Sequence, residues 1–504
     1  MIKLIYRIES DYMSKKRMLI VTSVTLSVVT ISLGIVKLYQ TYALSNYIGT
    51  VTDTGIDVYI NDDSYASIPA NGSSNVYYML TNTNPGTVKY GVAYQTTSGV
   101  TVKVYDTSED PATGTIEEND KKYIKLHLEN KNSTNKTIEL STVLGYENGG
   151  DLVVPSGVTL VTDTYTPPPT AAEYITKLYT TASKTTVTNN SITYNTAPSV
   201  SLMNDRLGGT TTDLDGGNIR YYGANPNNYI YFNCSDYSNQ TSSTCETWRI
   251  IGVFDGKLKL IKSESIGAYS WDNKDTSTGA ENDTGKNDWT TARLMKLLNP
   301  SNYYKVDSND NNLGQSLYYN SASGKCYSGQ NNATVDCDFT STGIKNAETR
   351  NMIAETTYNL GGWNSNSVYS NQIYEYERGT TVYSGRPTTW KGKIALAYPS
   401  DYGYAADLNQ CKDKTLYDYD NRTCTSNNWM KAIITNNGSN SGWLLTPYCS
   451  TSSNVWYVYP VGNVYFNYTV YSAFGAVPVL SLSSELGIES GGDGSSSNPY
   501  KLSA

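Results

Sequence analysis

The sequence predicts three parts in series: an N-terminal transmembrane helix, an all-β sandwich and an α+β head. Three observations predict them. A 19-residue uncharged run, Met18 to Val36, follows Lys15, Lys16 and Arg17. Short alternating strands, separated by turn signals, then fill the chain up to Pro167-Pro168-Pro169. After the prolines the pattern changes to a hairpin, helices, long loops and closing strands, and all seven cysteines fall in this last part.

As a helix, Met18 to Val36 is about 28 Å long at 1.5 Å per residue, close to a hydrocarbon core of about 30 Å. Lys37 is the only basic residue that follows before Lys89. The positive-inside rule therefore places residues 1–17 in the cytoplasm and the bulk of the chain outside, with residues 18–36 in the lipid bilayer. The run is longer than a signal-peptide core, and Tyr42-Ala43-Leu44-Ser45 is the nearest approach to a cleavage site. An uncleaved signal anchor is the reading, and a cleaved signal peptide its rival.

Residues 47–164 alternate in short strands: Ile56/Val58/Ile60, Val88/Tyr90/Val92/Tyr94, Val100/Val102/Val104 and Ile124/Leu126/Leu128. Roughly seven strands over about 115 residues predict an immunoglobulin-like sandwich, on strand count alone because no Cys-Trp-Cys core is present. Its expected role is to lift the next domain from the membrane.

Residues 165–201 read as a proline-rich linker with a short helix. Thr170-Ala171-Ala172-Glu173 has capping-box spacing, and Ile175, Leu178, Tyr179 and Ala182 give one apolar helical face. The head spans 202–485. Asp255-Gly256 is a type I′ hairpin signal between Trp248–Phe254 and Lys257–Ile261. Asp288 caps an expected helix from Trp289 to Leu298, stopped by Asn299-Pro300, and a second is expected from Asn346 to Asn359. Strands at 393–397, 455–459 and 477–482 close the domain. Residues 486–504, which include Gly491-Gly492-Asp493-Gly494-Ser495, read as a flexible tail.

The cysteines pair by proximity as Cys234/Cys245, Cys326/Cys337 and Cys411/Cys424, three loop staples suited to an oxidising exterior, which leaves Cys449 as a free thiol. No Cys-x-x-Cys spacing supports zinc.

A net charge of −8 with no basic stripe argues against a nucleic-acid partner. The one histidine, His127, lies in a sandwich strand, so the head holds no His-based catalytic centre. Glu375 and Glu377, placed on one side of an extended segment, are the carboxylates for an alternative reading as a surface hydrolase, with Asp401 in a separate motif. Asn287-Asp288-Trp289 and Trp363-Asn364 are only fragments of calcium motifs, and Asp307, Asn309 and Asn311 lack the Gly and Glu that a calcium loop needs. No metal or cofactor is expected; calcium is unsupported by these motifs.

The last seventy or so residues carry the order Trp443-Leu444-Leu445-Thr446-Pro447, an aromatic strand from Val455 to Val458, a turn at Gly462-Asn463, a polar-aromatic tract, and Val477-Pro478-Val479-Leu480. Together with Trp248-Arg249-Ile250-Ile251-Gly252-Val253-Phe254 and Tyr398-Pro399-Ser400-Asp401-Tyr402-Gly403-Tyr404-Ala405, this resembles bacterial C-type-lectin-like domains. The relatives include formylglycine-generating-enzyme-like domains and the variable proteins of diversity-generating retroelements. The resemblance implies a ligand face between the turn and the closing strand. The expected contact residues are Tyr448, Trp456, Tyr465, Asn467, Tyr471 and Phe474. It implies no formylglycine chemistry, because Cys449 stands alone where those enzymes use two cysteines. With 46 tyrosines, five phenylalanines and much Asn, Ser and Thr, the composition reads as that of an extracellular β-rich surface protein. With these contact residues and no catalytic centre, the expected function is a non-catalytic surface adhesin or receptor for a glycan or a cell-surface protein. A self-associating envelope protein is the further alternative.

Overall fold

The structure, a computed structural model, describes residues 65–82, 86–145, 152–209, 212–273, 285–306, 313–329, 333–435 and 441–503. The expected transmembrane segment, residues 18–36, and the first expected strand, Ile56 to Ile60, lie outside the described residues. Among the described residues no helix is long and apolar enough to cross a membrane. These residues are mostly β-sheet and 15 % helical. The expected fold class, a transmembrane helix, a β-sandwich and an α+β head, is therefore corrected, for the described residues, to β-sheets with few and short helices. The chain divides into two compact units, Met1–Pro168 and Pro169–Ala504.

In the first unit two sheets share one core. One sheet runs in the order Tyr65–Ile68, Lys136–Gly145, Val88–Gln95, Thr113–Ile116, with Val158–Leu160 also on Val88–Gln95. The other runs Gly72–Thr81, Lys121–Asn130, Val100–Tyr105, Thr164–Tyr165. Period-two alternation sends Val88, Tyr90, Val92 and Tyr94 from the first sheet and Ile124, Leu126 and Leu128 from the second into the same core. Burying each such side chain contributes about 1.5–3 kcal/mol. His127 leaves that core for the other face, where it stacks on Tyr165 with ring centroids 3.6 Å apart.

The second unit is built on a nine-stranded sheet. Its main path runs Thr185–Asn189, Ile192–Ala197, Leu202–Asn204, Ile219–Tyr221, Glu246–Phe254, Lys257–Lys262, Val479–Ser481, Ile394–Ala395. A five-stranded sheet runs Ala268–Ser270, Ala473–Gly475, Gly442–Pro447, Val455–Val458, Val464–Tyr465. The Asp255-Gly256 hairpin has φ of 49° and 69° at its two turn residues, the left-handed pair that a type I′ turn requires. At Gly252 a Cβ would sit 2.1 Å from the Ile219 carbonyl, so glycine lets the Ile219–Tyr221 strand approach and set Arg220 in the interior.

Both stretches read from the sequence as peripheral pack into this unit. Thr170 caps the helix Ala171–Thr181 through the reciprocal bonds of a capping box, and Ala171, Ala172, Ile175 and Tyr179 join the larger core. In the tail, Leu486, Ile488, Tyr500 and Leu502 join the same core, and Gly487–Ile488 pairs with Leu502–Ser503. The two expected helices are shorter than the sequence suggests. The first is Arg293–Leu298 with Ala292 as its cap; Asp288 instead holds the preceding turn by accepting from the Thr290 amide and hydroxyl. The second is Ala347–Met352, because Thr356–Asn359 leaves it to pair as a strand with Thr389–Gly392, where Tyr358 meets Trp390.

A closed ionic network lies at the centre. Arg220 donates through Nε to Asp205 at 2.6 Å and through Nη1 to Asp401 at 2.9 Å, and Lys259 Nζ reaches the other Asp401 oxygen at 2.5 Å. All four side chains are buried. Burial works to raise the Asp401 pKa, but Lys259 and Arg220 outweigh it and hold the carboxyl below its ordinary value.

Candidate functional site: an aromatic face

The five-stranded sheet separates two cores. Along Val455–Val458, Val455 and Tyr457 face the larger core while Trp456 and Val458 face the smaller one, so the strand is buried on both sides. Trp456, expected at the contact face, is therefore corrected to a core residue with no exposed surface.

Tyr457 is the hub of the face. Its cross-strand partner is Tyr465, and its ring also lies near Tyr468, at 5.4 Å, and Phe474, at 5.1 Å. Its hydroxyl donates to Asn467 Oδ1 at 2.5 Å, which ties the polar-aromatic tract to the sheet. Tyr465 meets Tyr459 and Tyr417 edge-on at 5.7 and 5.6 Å. The hub is buried, whereas Tyr417, Tyr459 and Tyr468 are 45, 40 and 45 % exposed. Tyr465 and Phe474 are half-buried between hub and rim, and Asn467 is exposed.

The tract is held in place from behind. The turn after Tyr459 closes with the Gly462 amide donating to the Tyr459 carbonyl at 2.8 Å. Gly462 has φ of 112°, and a Cβ there would lie 2.5 Å from Thr425 Cγ2. Tyr402 from the interior donates its hydroxyl to the Gly462 carbonyl at 2.5 Å. On the other flank, the Asn287 amide donates to the carbonyls of Tyr448, Thr451 and Asn454 at 2.8–2.9 Å. Asn287, met in the sequence as part of a calcium-motif fragment, is thus a buried loop fastener. Among the described residues no group of three or more His, Cys, Asp or Glu could hold a metal; Asp307, Asn309 and Asn311 lie outside them.

Of the expected contact residues, Tyr465, Asn467 and Phe474 meet on this face. Tyr448 stacks on Phe466 at 4.2 Å in a separate half-buried pair. Tyr471 is half-buried, and its carbonyl accepts from the Ser270 hydroxyl at 2.9 Å. Sequence reasoning missed Tyr417, Tyr457, Tyr459 and Tyr468. The alternation of Tyr457 and Tyr459 against Trp456 and Val458 was a usable signal for two of them; Tyr417 arrives from a distant loop. Cys449 is half-buried and unpaired, while Cys234–Cys245, Cys326–Cys337 and Cys411–Cys424 are bridged.

The carboxylate pair does not assemble. Ser370–Glu377 is a helix, so residues two apart lie about 200° apart around its axis. Glu375 is exposed, while Glu377 is wholly buried and accepts from the Ser400 amide and hydroxyl at 2.9 and 2.5 Å. Burial pushes the Glu377 carboxyl up to about 7 despite Arg378 and Ser400, which act to lower it.

No protein-family model, curated protein or solved structure matches this chain.

Proposed function

We propose that the chain is a surface receptor or adhesin that binds a glycan or a protein through the face formed by Tyr417, Tyr459, Tyr465, Asn467, Tyr468 and Phe474, without chemistry of its own. The observation that carries the reading is the exposed tyrosine rim set on a buried aromatic hub. Flat phenol faces stack on sugar rings or anchor a partner side chain, and their hydroxyls and the Asn467 amide supply directional bonds at low ordering cost. The resemblance of residues 443–480 to C-type-lectin-like domains supports the same face. Three disulfides support a location outside the cytoplasm.

The test is binding of the purified, oxidised full chain to glycan and cell-surface protein panels, with and without calcium. Saturable binding that disappears in a Tyr459→Ala/Tyr468→Ala variant is the expected result. Both side chains lie at the rim, 40 and 45 % exposed, so their removal costs about 0.5–1.5 kcal/mol per lost ring contact and leaves the buried hub to hold the fold. Binding that survives the double change overturns this face, and association only with itself favours a structural envelope role.

A further inference from the structure

A cleft in the second unit, apart from the aromatic face, is built from charges that its neighbours do not neutralise. It encloses about 440 Å³ and is lined by Tyr229, Arg249, Ser263, Glu264, Trp429 and Ile433, among others. Arg249 is 5 % exposed, and its guanidinium lies between the Tyr229 ring, at 3.7 Å, and the Trp429 ring, at 4.9 Å. Nε donates to Asn228 Oδ1 and Nη2 to the Pro226 carbonyl, so its protein partners are neutral, and among the described residues no carboxylate pairs with it. The Ser263 hydroxyl oxygen, on the same wall, is buried without a hydrogen-bond partner. Glu264 is exposed at the same cleft and likewise has no ion pair among the described residues.

A buried guanidinium without a counter-ion and an orphaned hydroxyl are expensive to desolvate, and both are relieved by one carboxylate. A plain anion would meet Glu264 in the same space. A ligand carrying both signs satisfies all three groups, and the volume suits a small molecule. We propose that this cleft binds a free amino acid or a close zwitterionic analogue, its carboxylate on Arg249 and Ser263 and its ammonium on Glu264. The site is independent of the aromatic face and of the function proposed for it.

The test is calorimetric titration of the full chain with the common L-amino acids. Leucine is matched by 4-methylpentanoate, which lacks the amine, and by 3-methylbutylamine, which lacks the carboxylate; each other amino acid that binds is matched in the same way. Saturable binding of at least one amino acid, weakened by about a hundredfold in Arg249→Met and by about tenfold or more in its deaminated partner, is the expected result. Glu264→Gln is the control for folding: it alters an exposed side chain and should abolish the preference for the amino acid over the deaminated acid. Equal binding of both acids to the unaltered chain would reduce the site to an anion pocket and overturn the zwitterion assignment. No response to any amino acid, or binding retained in Arg249→Met, would overturn the site.

Discussion

Two arginines on paired strands of one sheet have opposite surroundings. Arg220 and Arg249 are both buried, and Ile219–Tyr221 pairs with Glu246–Phe254. Arg220 is closed by Asp205 and Asp401, with Lys259 completing two cations against two carboxylates. Arg249 has rings, an amide, a carbonyl and an open cleft. Burial lowers its pKa to about 10, so it stays charged at neutral pH. A network whose charges balance fixes the fold: although Arg220 Nη2 is buried without a hydrogen-bond partner, the guanidinium already has its counter-ions and calls for no other. An incomplete one costs stability in the free protein and returns it on binding.

The sharpest way to break that contrast is to remove one charge from each. Asp401→Ala leaves Lys259 and one arm of Arg220 buried without their partner and should cost about 3–5 kcal/mol. Arg220→Met should fall in the same range because it strands Asp205. Arg249→Met removes a charge that has no opposite and strands only the buried Asn228 Oδ1, so in the absence of ligand it should cost about 1–3 kcal/mol, less than the Arg220 and Asp401 variants. All eight tryptophans lie in the second unit, so urea unfolding followed by tryptophan fluorescence reads these variants without interference from the first. Comparable losses for Arg220→Met and Arg249→Met would remove the distinction.

Glu377 extends the comparison to a buried group that settles its charge by protonation. Its carboxyl is raised from an ordinary value of 4.5 to about 7, so between those values the folded state holds a proton that the unfolded state has released. The stability this contributes is fully present below about pH 4.5 and is lost as pH rises through about 7. With roughly 1.4 kcal/mol per unit, the loss is on the order of 3 kcal/mol. Glu377→Gln should remove this dependence and leave a smaller slope of stability against pH between 4.5 and 7. An unchanged slope would place the titration elsewhere.

At the aromatic face the corresponding contrast is between hub and fastener. Asn287→Ala takes the side-chain donor from the Tyr448, Thr451 and Asn454 carbonyls, of which Asn454 keeps the Tyr448 amide, and should cost about 1–3 kcal/mol. Its effect on ligand binding should be smaller than that of the Tyr459→Ala/Tyr468→Ala variant, because Tyr457 still ties Asn467 to the sheet. Binding lost in Asn287→Ala at unchanged stability would move the ligand to the Tyr448–Asn454 loop.

Local chemistry made part of this legible. Alternation marked the strands Val88–Gln95 and Lys121–Asn130, Asp255-Gly256 marked a hairpin, and the disulfides close loops short enough to be paired by proximity. Where the sequence misled, tertiary packing overrode the local pattern. Tyr374-Glu375-Tyr376-Glu377 alternates like a strand but forms a helix turn, with Ile373, Tyr374 and Glu377 buried. Trp456 reads as a half-exposed strand residue, yet its strand has a core on each side. The sites themselves join remote residues, Tyr417 with Tyr465 and Arg249 with Trp429, and no local spacing marks either.

The smallest expected effect is in the first unit, at His127, a buried titratable group that is partly enclosed. Its ring stacks on Tyr165, bonds through Nδ1 to Asn75 Oδ1 at 2.7 Å, and lies 3.5 Å from Glu129 through Nε2. Burial lowers its pKa below 6.5; Glu129 acts against the shift and Lys103 with it. A lowered histidine pKa means that the unfolded chain takes up the proton first. The contribution is therefore fully present above about pH 6.5 and is lost as pH falls through the folded value. Because this unit has no tryptophan, calorimetry is the measurement, comparing its transition in the unaltered chain and in His127→Gln from pH 8 down to pH 5. The unaltered transition should fall relative to the variant only below about pH 6.5, by a few degrees at most for a unit of this size. A gap that stays constant across the range would mean that the ring matters there for its stacking on Tyr165 and not for its charge.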